Sequence, residues 1–351
     1  MSVRPYFSKK SYLLEDLLSR VSRSFYLTLA VLPASVRTQV GLAYLFARAA
    51  DTITDTDLIE KSERIIHLRN FQKLFTLDPL DMKIVHSIQT SLISHQALPA
   101  ERILLEKLED CFQIYLKCEI SDRIRINNLM ETLTKGMEMD LVLFQDSTAQ
   151  DIISLKTQED LNLYTYYVAG CVGQYWTNLM CSHLSSLKKW DVEKMSNIGI
   201  NFGKGLQLTN IVKDVAKDLE RGRCYIPESL LKTAGISPNN ILQPESWNSF
   251  QPVLNTLIQK AAKYLDQGWN YTMAIPKSEI RLRLACMWPI LLGGETLKLV
   301  QKSPNILNSN SQIKIARSYV YKVIFLTTIS CGSGFIGTIY WKKLYKHLTK
   351  P

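Results

Sequence analysis

The chain has few of the signals that break helices or build sheets. No proline lies between Pro99 and Pro227, Asn-Gly and Asp-Gly dipeptides are absent, and apolar/polar alternation is weak throughout. Tight hairpins favour those dipeptides, so a sheet-based fold is excluded. The seven cysteines contain no CxxC pair, and their odd number argues against a disulfide frame or a zinc site. They read as reduced, buried thiols of a cytoplasmic protein. No GxGxxG occurs, so nicotinamide binding cannot be read from a nucleotide fold. No run of five basic residues and no basic stripe with interleaved aromatics appears, which sets nucleic acid aside despite a net charge of +10. The N-terminal MSVRPYFSKKSYLLEDLL carries early charges and no apolar centre, unlike a secretory signal.

What is present is helical periodicity. Apolar residues recur at helical spacing over Leu13–Val21, Val36–Ala50, Ile103–Leu116, Leu161–Met180 and Ile198–Val215. Breaks are expected near Pro33, near Asp78-Pro79, at Leu187–Trp190 and at Gly222–Pro227, the last followed by a polar loop over 236–250. With 46% hydrophobic residues, the 351-residue chain reads as one large all-α domain over 1–320. Residues 321–351 are apolar and then basic. Val323 to Trp341 is uncharged, but a spanning helix needs about 20 apolar residues. The Cys331-Gly332-Ser333-Gly334 centre suits a turn better. A final core helix and a basic tail touching a membrane surface are expected there.

Two stretches carry chemistry. In ARAADTITD, Tyr44, Arg48, Asp51 and Asp55 fall on one helical face, while the flanking positions are almost all apolar. A polar stripe on a buried helix is costly unless compensated. Mg²⁺ bridging carboxylates to substrate phosphates would compensate it; a helix end meeting water is the plainer reading. In QLTNIVKDVAKD, Gln207, Asn210, Asp214 and Asp218 again share a face, and Leu219-Glu220-Arg221-Gly222-Arg223 follows. Two DxxxD stripes with nearby Arg48, Lys213 and Arg223 match what diphosphate departure requires. Metal and cations hold the leaving group, and an apolar cavity shelters the carbocation.

These residues carry a resemblance. Ser22-Arg23-Ser24-Phe25 is similar to the SxSF opening of the squalene and phytoene synthase family. Tyr44-x-x-x-Arg48-x-x-Asp51-x-x-x-Asp55 resembles its first aspartate-rich region. Tyr164 to Gly173 (YTYYVAGCVG) resembles its central segment, and Gln207 to Pro227 its second aspartate-rich region. The resemblance implies a helical isoprenoid synthase bundle around a central cavity. It also implies head-to-head joining of two prenyl diphosphates through a cyclopropyl intermediate, with Mg²⁺ and, in the squalene branch, NADPH. Asp51, Asp55, Asp214 and Asp218 would bind metal. Arg23, Arg48, Lys213, Arg223, Gln207 and Asn210 would hold diphosphate. Tyr164, Tyr44 and Phe25 would serve the reaction, with Tyr164 as proton acceptor. Ser22, Asn210, Lys314 and Arg317 would serve NADPH. The squalene branch is favoured; phytoene or dehydrosqualene synthesis without reduction is the alternative, and a scaffold that has lost catalysis a weaker one. Ala169, Gly170 and Gly173 have two readings, close helix approach and room for a prenyl chain.

Overall fold

The computed structural model describes residues 9–22, 25–56, 59–303, 306–308, 313–330 and 334–350. Arg23, Ser24 and the Cys331–Ser333 part of the expected turn lie outside them. The principal helices are α1 (Tyr26–Val31), α2 (Ala34–Asp55), α3 (Lys61–Lys73), α4 (Met82–Leu92), α5 (Pro99–Glu106), α6 (Leu108–Tyr115) and α7 (Ile120–Leu143). They continue with α8 (Gln158–Thr165), α9 (Cys171–His183), α10 (Val192–Glu220), α11 (Trp247–Ala274), α12 (Ile280–Lys302), α13 (Arg317–Ile329) and α14 (Phe335–Leu348). Among the described residues the strands are two residues each, β1 (Ile153–Ser154) and β2 (Arg223–Cys224), paired in parallel.

The described residues group into two compact units, one drawn from 1–141 with 178–184, the other from 142–177 with 185–351. In the first, α2 begins after Pro33 and buries Val40, Leu42, Leu45, Phe46, Ala49 and Ile53. Phe46 sits 4.7 Å from Phe112 and 5.0 Å from Phe75, centroid to centroid, at the heart of an aromatic cluster with Phe71 and Tyr115. Each such side chain contributes about 1.5–3 kcal/mol by leaving water. The periodic run expected over Ile103–Leu116 is split at Lys107, whose backbone (φ −101°, ψ 9°) separates α5 from α6. Spacing could not reveal this, because the apolar pattern continues across the kink.

In the second unit the run over Leu161–Met180 is interrupted by a π-helical turn at Tyr166–Gly170 between α8 and α9. Such wide turns rotate the following face and often mark functional sites. Here α9 lies directly against α10. A Cβ on Gly173 would stand 1.9 Å from the Gly199 carbonyl oxygen, and one on Gly203 2.3 Å from that of Ala169. Close helix approach is therefore what Gly173 provides.

Val323–Ile329 is the second half of α13 and Phe335–Trp341 the first half of α14, and Gly334 precedes α14 in the left-handed region (φ 82°). They pack within the second unit. Trp341 is 1% exposed, stacks on Trp269 at 6.2 Å and donates to Asp266 Oδ1 at 2.8 Å. Trp288 donates to Thr327 Oγ1 at 2.9 Å. Among the described residues no helix is long and apolar enough to cross a membrane. Among the described residues six cysteines are free, and burial pushes the thiols of Cys111, Cys171, Cys224 and Cys286 up to about 12.

Candidate functional site

In the first unit the polar stripe of α2 has the arrangement its spacing implies. Tyr44, Arg48 and Asp51 are half-buried and Asp55 is exposed, on a helix otherwise mostly buried. Phe25 stacks on Tyr44 at 5.6 Å with an 18° tilt. Arg48 donates to the Tyr44 hydroxyl at 3.4 Å and stands 3.5 Å from Asp51 Oδ2. Its Nε is buried with no hydrogen-bond partner in the protein. Burial works against the Arg48 charge, but Asp51, Tyr44 and Glu101 outweigh it and hold its pKa above the ordinary value.

Asp51 is the strained group. Its side chain keeps 40% of its surface open, yet protein atoms crowd it elsewhere. That crowding, opposed by Arg48 and reinforced by Asp55 and Glu101, pushes its pKa up to about 7. A reachable carboxylate whose charge is poorly compensated, one turn from a second carboxylate, fits a hard divalent cation such as Mg²⁺. Among the described residues no three Asp, Glu, His or Cys side chains form a ready-made metal cluster. Mg²⁺ tolerates this, since it keeps waters and takes substrate phosphates as further ligands.

Glu101, on α5, escaped the sequence reading. Its carboxylate lies 3.5 Å from Thr52 Oγ1, and Thr52 in turn donates to the Arg48 carbonyl at 2.8 Å. Some fifty residues separate it from the stripe, and no local spacing signals the contact.

In the second unit, Gln207, Asp214 and Asp218 are half-buried and Asn210 is exposed, while Leu208, Ile211, Val212, Val215 and Leu219 are buried. Lys213 pairs with Asp214 at 3.0 Å, so this lysine already has a partner. Tyr164 is 7% exposed and stacks on Tyr225 at 4.8 Å with a 20° tilt. Phe144 meets Tyr225 edge-on at 5.2 Å, and the Arg223 guanidinium lies 5.9 Å from the Phe144 ring. Phe144 and Tyr225 were not singled out from sequence. Tyr225 lies inside the second aspartate-rich stretch, directly after β2; Phe144 has no comparable signal.

Of the residues expected at NADPH, Ser22 lies in the first unit and Asn210, Lys314 and Arg317 in the second. Ser22 is 3% exposed and donates to the Leu18 carbonyl at 2.5 Å, so its hydroxyl does not fit a cofactor contact. Lys314 and Arg317 are exposed, in the stretch before α13 and at its first residue. They fit a phosphate by charge alone.

Comparison with known proteins defines the class. The family model described as squalene/phytoene synthase matches residues 18–318, and the chain belongs to that family. It is 28% identical over 318 residues to a bifunctional lycopene cyclase/phytoene synthase of Pyrenophora tritici-repentis, covering 87% of this chain and 48% of that protein. It is 25% identical to the squalene synthase of Schizosaccharomyces pombe, covering 88% and 63% respectively. It is also 25% identical to the lycopaoctaene synthase of Botryococcus braunii, covering 91% and 66%. The chain thus spans about half to two-thirds of these relatives' lengths. Among solved structures, TcSQS with the ligand E5700 has the same fold, with a TM-score of 0.76 at 21% identity over 97% of this chain and 96% of that one. A dehydrosqualene synthase superposes with a TM-score of 0.63 at 20% identity over 93% and 97%.

Proposed function

We propose that this protein joins two farnesyl diphosphates head to head through presqualene diphosphate and reduces the product to squalene with NADPH. The observation that carries this reading is the pair of half-exposed aspartate stripes on buried helices, each with a cation beside it. Asp51 with Asp55, and Asp214 with Asp218, would each hold Mg²⁺. Bound there, Mg²⁺ would neutralise the departing diphosphate. Arg48, beside Asp51 in the first unit, and Arg223, in the second, would each offer fixed positive charge to diphosphate oxygens. The stacked pairs Phe25–Tyr44 and Tyr164–Tyr225 offer aromatic faces that stabilise an allylic cation. Tyr164 would take the proton lost when the cyclopropane closes. NADPH would supply the reducing equivalents of the last step, with Lys314 and Arg317 holding its phosphates.

A second reading has its own support. The Pyrenophora relative is by name a bifunctional lycopene cyclase/phytoene synthase, and its phytoene synthase part favours a non-reductive ending on a longer substrate. One experiment separates the two. The pure protein is incubated with farnesyl or geranylgeranyl diphosphate and Mg²⁺, with and without NADPH, and the hydrocarbon is identified. Squalene that appears only with NADPH supports the first reading. Phytoene or dehydrosqualene at saturating NADPH replaces it with the second.

We also infer that the protein works against a membrane on its cytoplasmic side. Residues 296–351 hold nine lysines and arginines and no aspartate or glutamate. On α13, Tyr321, Phe325 and Ile329 form one stripe, 67%, 62% and 60% exposed; on α14, Phe335 and Ile339 are 71% and 54% exposed. An apolar face bordered by Lys322, Lys342, Lys343 and Lys346 suits an anionic lipid surface, where each basic residue contributes about 1 kcal/mol. Flotation with anionic liposomes should fall on Phe325→Ser with Ile329→Ser. Unchanged flotation removes this face as the contact.

A further inference from the structure

The three tyrosines of α8 and its π-helical turn are placed differently. Tyr166 and Tyr167 are half-buried and meet each other at a 49° tilt. Tyr164, in the last turn of α8, is 7% exposed and lies nearly parallel to Tyr225, with 4.8 Å between ring centres and a 20° tilt. Tyr225 in turn meets Phe144 edge-on at 5.2 Å. Aromatic rings favour stacked and edge-to-face pairs, and this trio has one of each.

The backbone decides where Tyr225 stands. Gly222 takes a left-handed conformation (φ 77°), and a Cβ there would stand 2.5 Å from the Thr148 backbone, so any other residue would push the two chains apart. The Leu155 N–H donates to the Cys224 carbonyl at 3.1 Å, and the Glu228 N–H donates to the Leu155 carbonyl at 2.7 Å. The chain is therefore held on both sides of Tyr225. Successive side chains of an extended chain point to opposite sides. Cys224 and Ile226 go into the core, 2% and 1% exposed, which leaves Arg223 and Tyr225 on the other side, both half-buried. The anchoring contacts are made by the neighbours, and the Tyr225 ring is turned to Tyr164.

A phenol hydroxyl lies on the axis of its ring, so whatever fixes the ring fixes the hydroxyl. We propose that Tyr225 is a positioning residue for Tyr164: its ring, anchored by the pairing of β1 with β2, holds the Tyr164 hydroxyl where the proton leaves as the cyclopropane closes. This role rests on Tyr164 being the proton acceptor, as proposed above. Arg223, on the same side of the same strand, ties the diphosphate cation to the same anchor.

The test is the rate of the first half-reaction in the full chain, with Mg²⁺ and the prenyl diphosphate that the parent consumes. It is followed as formation of the cyclopropyl diphosphate or of the hydrocarbon it becomes. Tyr225→Leu should lower kcat by about a hundredfold, the scale of a displacement of about 1 Å at the reacting atoms, with KM nearly unchanged. Tyr225→Phe, which keeps the ring, should recover most of that loss. Tyr164→Phe should be slow as well, and adding Tyr225→Leu to it should cost less than about threefold more, because both changes remove one function. A ring that only packed the fold would lower the rate by the same factor on either background. Thermal midpoints are measured beside the rates, and should Tyr225→Leu not fold, Tyr225→Met carries the same comparison. Equal losses on both backgrounds, or Tyr225→Phe as slow as Tyr225→Leu, overturn the positioning role while leaving Tyr164 in the reaction. Tyr164→Phe as fast as the parent removes the proton acceptor itself, and this role with it.

Discussion

Asp51 and Asp122 are both aspartates of the first unit, and they differ in almost every respect. Asp122 is 1% exposed and fully satisfied. Gln39 donates to it at 2.9 Å, Arg125 at 2.8 Å, and His183 Nε2 lies 2.9 Å from both its oxygens. Burial opposes its charge, but the bonds from His183 and Gln39 and the charges of His183 and Arg125 prevail, so its pKa lies below the usual carboxylate value. Asp51 has one long contact to Arg48, two acids as neighbours and a pKa pushed up to about 7. A carboxylate supplied with donors holds helices α2, α7 and α9 together where they meet in this unit. A carboxylate short of donors is kept for something that arrives from outside.

The sharpest way to break this contrast is to remove each charge. Asp51→Asn should lower turnover by about a thousandfold, or about 4 kcal/mol of transition-state stabilisation, with the helical circular dichroism unchanged. Near-normal turnover at ordinary Mg²⁺ would remove Asp51 from the chemistry. Asp122→Ala should do the reverse. It strands Arg125, Gln39 and His183 and should cost about 3 kcal/mol in urea unfolding. A variant as stable as the parent would make the clamp ornamental.

A smaller effect comes from the second unit. Gly173→Ala should destabilise by about 2 kcal/mol, because its methyl group meets a backbone carbonyl that cannot move aside. An unchanged thermal midpoint would mean that α9 and α10 can separate without penalty.

The smallest expected effect is on pH. Asp122 has a lowered pKa in the folded state, so its contribution is present above the unfolded value and is lost as pH falls through the folded one. The stability gap between the parent and Asp122→Asn should therefore be wider near neutrality and shrink as pH falls below the ordinary carboxylate range. A gap that widens on acidification would reverse the sign argued here.

The stripes of α2 and α10 were legible because they are local. Four polar residues at helical spacing, set among Val, Leu, Ile and Ala, share one face of a helix that is otherwise largely apolar. The break after Pro33 and the return loop at Gly222–Pro227 were legible for the same reason, since proline and glycine act on their own backbone. The split at Lys107 and the π-turn at Tyr166–Gly170 were not, because the apolar pattern runs through both without a gap. Glu101 beside Arg48, Phe144 beside Tyr225 and His183 on Asp122 join residues tens of positions apart, and nothing near them in the chain records the pairing.

By itself, then, the sequence determined the helical class, the two DxxxD faces and the family they announce, since each follows from periodicity and residue type within one helix. Which carboxylates are satisfied and which are left wanting, and which glycine serves packing, were decided only by the tertiary structure. Those properties depend on what a neighbouring helix brings within hydrogen-bonding distance and on how much water it removes.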